Sequence, residues 1–177
     1  MKNTLTDKIA KWTEELRAFG AHYDYDVSYL EALISASPRA FQAFEAGMSM
    51  GRYRDAAPIE LLMIVKITGM QAEDCGPCTE LNVKMAREAG VSESIIEGIL
   101  RGGKGLTPEH LEVYQYARAV TTNEGMDPDL LPRLEKRWGN EVMGELALAI
   151  VSTRLYPTLK RALGYDKSCS LIPGLIP

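Results

Sequence analysis

Apolar residues recur along most of the chain at helical spacing, and nowhere do they alternate with polar ones long enough for a confident strand. Leu5, Ile9, Trp12, Leu16 and Phe19 trace one face of an amphipathic helix that Gly20 is expected to end. Val27, Leu30, Leu33 and Ile34 mark a second helix, stopped before Pro38. Phe41, Phe44 and Met48 carry a third to the polar stretch Gly51-Arg52-Tyr53-Arg54-Asp55. Pro58 opens a helix presenting Ile59, Leu62, Met63, Ile67 and Met70 on one face, with Glu60 in its first turn. Farther on, Ser92 is placed to cap a short helix carrying Ile95, Ile96, Ile99 and Leu100. Thr107-Pro108 reads as N-cap and first helical residue, and Asp127-Pro128 repeats the device for a helix running to Gly139. A last long helix from Glu141 to Leu163 should kink near Pro157.

These elements predict an all-α fold, a single-domain array of about seven to nine helices. Residues 1–56 would form N-terminal helices, 57–91 a helical hairpin at the core, 92–165 the C-terminal helices and 166–177 an apolar, irregular tail.

The hairpin carries the chain's most distinctive stretch, Glu73-Asp74-Cys75-Gly76-Pro77-Cys78. Asp74 reads as an N-cap, and Pro77 is tolerated in a first turn because the N–H it lacks has no partner there. Gly90 is placed to stop the helix in a left-handed conformation. Cys75 and Cys78, three apart on a helix, share a face, so their sulfurs are expected side by side, reachable from a pocket and able to link reversibly. Cys78, Leu81, Asn82, Met85 and Ala89 form the expected inner face, while Glu80, Lys84 and Glu88 form a solvated one. Asn82 has two readings: it holds a thiolate or an ordered water, or it is a buried amide bonded to backbone.

Composition narrows the class. The 177 residues suffice to bury a core, and 46% hydrophobic with 25% charged residues describes an ordinary globular chain. A net charge of -4 with no basic stripe argues against nucleic acid. Neither a signal-type leader nor a membrane-length apolar run is apparent, so a cytoplasmic protein without membrane association is expected. In that reducing setting a Cys-x-x-Cys pair reads as catalytic or metal-binding rather than as a structural staple.

A zinc site would need more ligands than Cys75, Cys78 and Cys169 supply, and His22 and His110 stand at no recognisable spacing, so no metal is expected. Cys169 reads as a separate thiol. Gly98-Ile99-Leu100-Arg101-Gly102-Gly103-Lys104-Gly105 resembles a phosphate loop but lacks its Ser/Thr and a preceding strand; an interhelical loop is expected. Lys66 is either a snorkelling residue or a partner for a thiolate. Tyr156 and Trp138 are expected to pack the core or a subunit contact, and His110 to lie at the surface.

A thiol of ordinary pKa ~8.5 is only a few per cent ionised at neutral pH, and a helix N-terminus shifts that by less than about one unit. Glu73 and Asp74 oppose it when ionised. A reactive pair therefore needs a further donor or proton acceptor nearby.

The segment Glu60 … Cys75-Gly76-Pro77-Cys78 … Asn82 … Ala86-Arg87-Glu88-Ala89-Gly90-Val91 resembles the alkylhydroperoxidase D / carboxymuconolactone decarboxylase-like family. The resemblance extends from Tyr25-Asp26-Val27-Ser28-Tyr29 to Tyr156-Pro157-Thr158-Leu159-Lys160. It implies an all-α homo-oligomer, a trimer or hexamer, with antioxidant peroxidase activity and no cofactor. Cys78 would attack a peroxide or disulfide substrate, Cys75 would resolve the intermediate, and a protein or small-thiol reductant would restore the pair. Glu60 matches the family's proton-handling glutamate, though at a longer interval from the cysteines, and Asn82 stands where the family has a histidine.

Two alternatives remain open: a non-catalytic redox-sensing or oligomeric interaction module, and a carboxymuconolactone decarboxylase-like lyase, against which the paired cysteines argue. The same Cys-Gly-Pro-Cys tetrapeptide occurs in thioredoxins, but no strand precedes it here.

Overall fold

The computed structural model describes residues 5–165; Cys169 and the apolar tail lie outside them. The described residues form eight helices and no strand, the all-α array that the periodicity predicts. In order they are α1 (Leu5–Tyr23), α2 (Ser28–Ala36), α3 (Pro38–Arg52), α4 (Ile59–Ala72), α5 (Gly76–Glu88), α6 (Glu93–Leu100), α7 (Pro108–Thr122) and α8 (Leu130–Ala162). None is both long and apolar enough to cross a membrane. The chain divides into two compact units, one up to Met48 and the other from Ser49 onward.

In the first unit Trp12, Leu16, Val27, Tyr29, Leu30, Ile34 and Phe41 are buried. The Trp12 ring leans on Phe41 with centroids 5.1 Å apart, and its indole N–H donates to Glu45 Oε1 at 2.9 Å. Gly20 does not end α1, contrary to expectation. It lies inside the helix, where a Cβ would stand 2.8 Å from the Tyr25 carbonyl oxygen. The stop is Asp24, at φ 50°, which lets the Tyr25 N–H return to the Gly20 carbonyl at 2.9 Å.

The second unit is built around α4. One apolar face was expected, but Leu61, Leu62, Met63, Ile64, Val65, Ile67, Thr68, Gly69 and Met70 are all buried. A helix apolar all round is stable only when covered all round, and α5, α6, α7 and α8 supply the cover. The approach of α8 is close: a Cβ on Gly69 would lie 2.5 Å from Thr153 Oγ1. Entry to α4 is fixed by Glu145 of α8, whose carboxylate accepts the backbone N–H groups of Asp55, Ala56 and Ala57 at 3.1, 2.7 and 3.1 Å.

Thr107 caps α7 as expected, accepting from the His110 N–H. Asp127 does not cap α8; Asp129 occupies that position, and Asp127 instead accepts the Asp129 N–H at 3.0 Å in a local turn. The only departure from helical dihedrals within α8 is at Gly139 (φ 82°, ψ 160°), and Pro157 keeps the helix.

Candidate redox site

The turn between α4 and α5 creates the site. Asp74 is not an N-cap. It sits at φ 52°, just past Glu73, the last capping residue of α4. The Asp74 N–H reaches the Gln71 carbonyl at 3.1 Å and the Cys75 N–H reaches the Met70 carbonyl at 3.3 Å, the paired bonds of a Schellman termination. Cys75 thus completes the end of α4 and is at the same time the N-cap of α5, in extended conformation. Pro77 falls in the first turn, as expected. The far end of α5 closes in the same way: Gly90 takes φ 81°, and the Gly90 and Val91 N–H groups return to Arg87 and Ala86 at 3.0 Å each.

Cys75 and Cys78 are joined by a disulfide, with Cα atoms 5.3 Å apart, well within the span such a bond accepts. The shared face inferred from their spacing is therefore present. The expected accessibility is not: Cys75 is 0% exposed and Cys78 1%. Met70 is buried in the same cluster, and Tyr156 of α8 packs against that cluster. Burial pushes the Tyr156 hydroxyl above its ordinary pKa, with Arg52 pulling weakly the other way.

The inner face of α5 differs from expectation by about one residue. Cys78, Thr79, Asn82, Val83 and Ala86 are buried, whereas Leu81 and Met85 are half-buried and Ala89 is exposed. Thr79 and Asn82 tolerate burial because each bonds one turn back: Thr79 Oγ1 donates to the Cys75 carbonyl and Asn82 Nδ2 to the Cys78 carbonyl, both at 2.9 Å. Of the two readings of Asn82, the backbone-bonded amide is the one observed. Glu80 and Lys84 form the expected exposed-face ion pair at 3.0 Å.

Glu60 and the cysteines are at opposite ends of α4. Roughly 18 Å of helical rise separates Glu60 from Ala72, so the first turn of α4 does not bring its carboxylate to the sulfurs. Lys66 fits neither reading offered for it: its ammonium donates to the Gly51 carbonyl in the last turn of α3 at 2.6 Å, and burial lowers its pKa. Trp138 packs against the core as expected, and His110 is half-buried in the first turn of α7.

Three residues of α8 adjoining the turn were not anticipated as site neighbours. Arg161 and Arg154 pair with Glu73 at 2.5 and 3.6 Å, and Tyr156 packs against the Met70–Cys75–Cys78 cluster. Their sequence signal was confined to the spacing of Arg154 and Arg161, two helical turns apart on one face of α8. Among the described residues, no three His, Cys, Asp or Glu side chains group as metal ligands.

The result is a buried disulfide at a helix N-terminus, in a cluster that Tyr156 packs against, with an ion-paired carboxylate two residues before it. Such a pair can take up or release two electrons by breaking or forming one bond. No family model, curated protein or solved structure matches the chain.

Proposed function

We propose that the protein is a dithiol–disulfide oxidoreductase that reduces hydroperoxides, of the kind found among alkylhydroperoxidase D-like proteins. The observation that carries this reading is the Cys75–Cys78 disulfide across the first turn of α5. In the reduced enzyme the Cys78 thiolate attacks the peroxide and the O–O bond breaks. One oxygen stays on sulfur as a sulfenic acid, and the other leaves as an alcohol or water after taking one proton. The Cys75 thiol then displaces water from Cys78, forming the disulfide. The balance is one hydroperoxide and two thiols giving one alcohol, one water and one disulfide. Two electrons from a thiol reductant return the pair to its starting state.

Burial of both sulfurs supports a small, diffusing oxidant over a bulky disulfide substrate. It also favours a second reading, a redox-sensing pair that is oxidised once and re-reduced too slowly for turnover. The two separate in one experiment on the reduced protein. Stoichiometric hydroperoxide should remove two hydrogens by intact mass, mapped to Cys75 and Cys78, and excess dithiol should sustain turnover that Cys78→Ser abolishes. Oxidation without turnover selects the sensor. Thiols that stay reduced under peroxide overturn both.

A further inference from the structure

Over much of its length α8 is apolar on the side that faces solvent as well as on the side that faces the core. Its inner face buries Val142, Leu146, Ala149, Ile150 and Pro157. Residues 142–153 carry a single charge, Glu145, and that carboxylate is spent on the N–H groups of Asp55, Ala56 and Ala57. The outer positions Gly144, Leu148, Val151, Leu155, Thr158 and Ala162 alternate four- and three-residue steps, the spacing of a helix seam that packs against another element. Among the described residues nothing closes that seam. Leu148 is 37% exposed and Val151 50%, and a Cβ on Gly144 would meet nothing within 4 Å. Apolar residues exposed singly need no explanation, but a continuous apolar seam does. A helix apolar all round is stable when covered all round.

We propose that the seam is the docking site of the chain's own apolar tail, residues 166–177, which lie outside the described ones. The place where the tail begins favours this occupant. Helix α8 closes in a Schellman turn: with Gly164 at φ 75°, its N–H returns to the Arg161 carbonyl at 3.1 Å and the Tyr165 N–H to the Lys160 carbonyl at 2.9 Å. The chain therefore leaves the helix axis at Tyr165 instead of prolonging it. Composition favours it too, since beyond Lys167 the tail has no charged side chain and carries two aliphatic pairs, Leu171-Ile172 and Leu175-Ile176. The lengths match. Leu171 is six residues past Tyr165, a reach of roughly 20 Å, and Leu175 is ten past it, roughly 33 Å. Leu155 and Leu148 stand roughly 11 and 21 Å of helical rise before Ala162. The first pair thus covers Leu155 and the second covers Val151 and Leu148. Because the tail is tethered to the helix it covers, its effective concentration there is on the order of millimolar, which favours it over a separate partner.

The test is a nitroxide at the far end of the tail of the full chain. In a Cys169→Ser, Pro177→Cys protein the Cys75–Cys78 disulfide leaves the introduced thiol as the one that takes the label. Methyl NMR should then show the Leu148 and Val151 signals lost to paramagnetic broadening. Leu175→Ser with Ile176→Ser should bring both back, and Val151→Gln, at an exposed position that leaves the core intact, should bring back Leu148. Mixing nitroxide-bearing chains without isotope with isotope-labelled chains without nitroxide identifies whose tail is read. Signal loss confined to single chains supports the proposal. Equal loss in the mixed sample would seat a second copy's tail on the seam and overturn it. Signals that never broaden, or that stay broadened in the double serine protein, overturn it as well. Cys75 and Cys78 stay linked throughout, so the outcome is independent of the dithiol reading.

Discussion

Arg161 holds Glu73 at two points: its guanidinium meets the Glu73 carboxylate at 2.5 Å and the Glu73 backbone carbonyl at 3.2 Å. Arg154 adds a second cation at 3.6 Å while donating to the Thr121 carbonyl at 2.6 Å. The carboxylate two residues before Cys75 is thereby compensated, and its tendency to raise a nearby thiol's pKa is blunted. The same contacts tie the dithiol turn to α8 and, through Arg154, to the end of α7.

Removing the tie should loosen the turn. The Arg161 side chain is 43% exposed, so solvent screens the pair, and Arg161→Ala is expected to cost only about 0.5–1 kcal/mol. The loss should shrink as salt is raised. Urea unfolding at low and high ionic strength measures both. A variant as stable as the parent at low salt would show that the two bonds add nothing to the fold.

The helical array was legible because apolar residues such as Leu5, Ile9, Trp12 and Leu16 fall on one face and because Thr107-Pro108 marks a start unambiguously. The dithiol was legible from spacing alone. Asp74 was not, since aspartate suits both an N-cap and a left-handed turn, and the choice between them was made by Cys75 reaching back to Met70. The face of α5 was misjudged because Thr79 looks polar until its hydroxyl is seen bonded to the Cys75 carbonyl. Glu73 and Arg161 are 88 residues apart, and no local pattern pairs them.

Asp74 offers a direct check on that turn. At φ 52° an L-residue is disfavoured, and glycine is the usual occupant of the position after a helix cap. Asp74→Gly should stabilise the protein by about 0.5–1 kcal/mol, and Asp74→Val should destabilise it by at least about 1 kcal/mol. Thermal unfolding of the two variants gives the sign of each. The reverse order would mean that the aspartate side chain, not the backbone geometry, governs the turn.

Glu145 should make stability depend on acid. Burial raises its pKa, but the backbone bonds from Ala56, Asp55 and Ala57, with Arg54 nearby, outweigh that and hold it below the ordinary carboxylate value. A carboxyl with a depressed folded pKa contributes fully above its unfolded value of about 4.3, and the contribution is lost as pH falls through the folded one. Glu145→Gln should therefore cost about 1–2 kcal/mol at neutral pH, and the gap to the parent should close below about pH 4. Urea midpoints across that range test it. A gap that persists unchanged into acid would assign the loss to shape and not to charge.

The sealing of the disulfide sets how it is reduced. With Cys75 at 0% and Cys78 at 1% exposure, an attacking thiolate has no line of approach until the α4–α5 turn opens, and opening is a local fluctuation with its own free energy. Reduction by a small dithiol should consequently be limited by that opening and should accelerate in urea well below the unfolding midpoint. Met70 is the residue to change, because it is buried in the same cluster as Cys75 and Cys78 and lies on the α4 side of the turn. Met70→Ala is expected to cost about 2–5 kcal/mol and to leave space beside the sulfurs. It should speed reduction at least tenfold, read by stopped reaction and intact mass. Reduction that is already fast in the parent, or unmoved by Met70→Ala, would mean that the sulfurs are reached by another route.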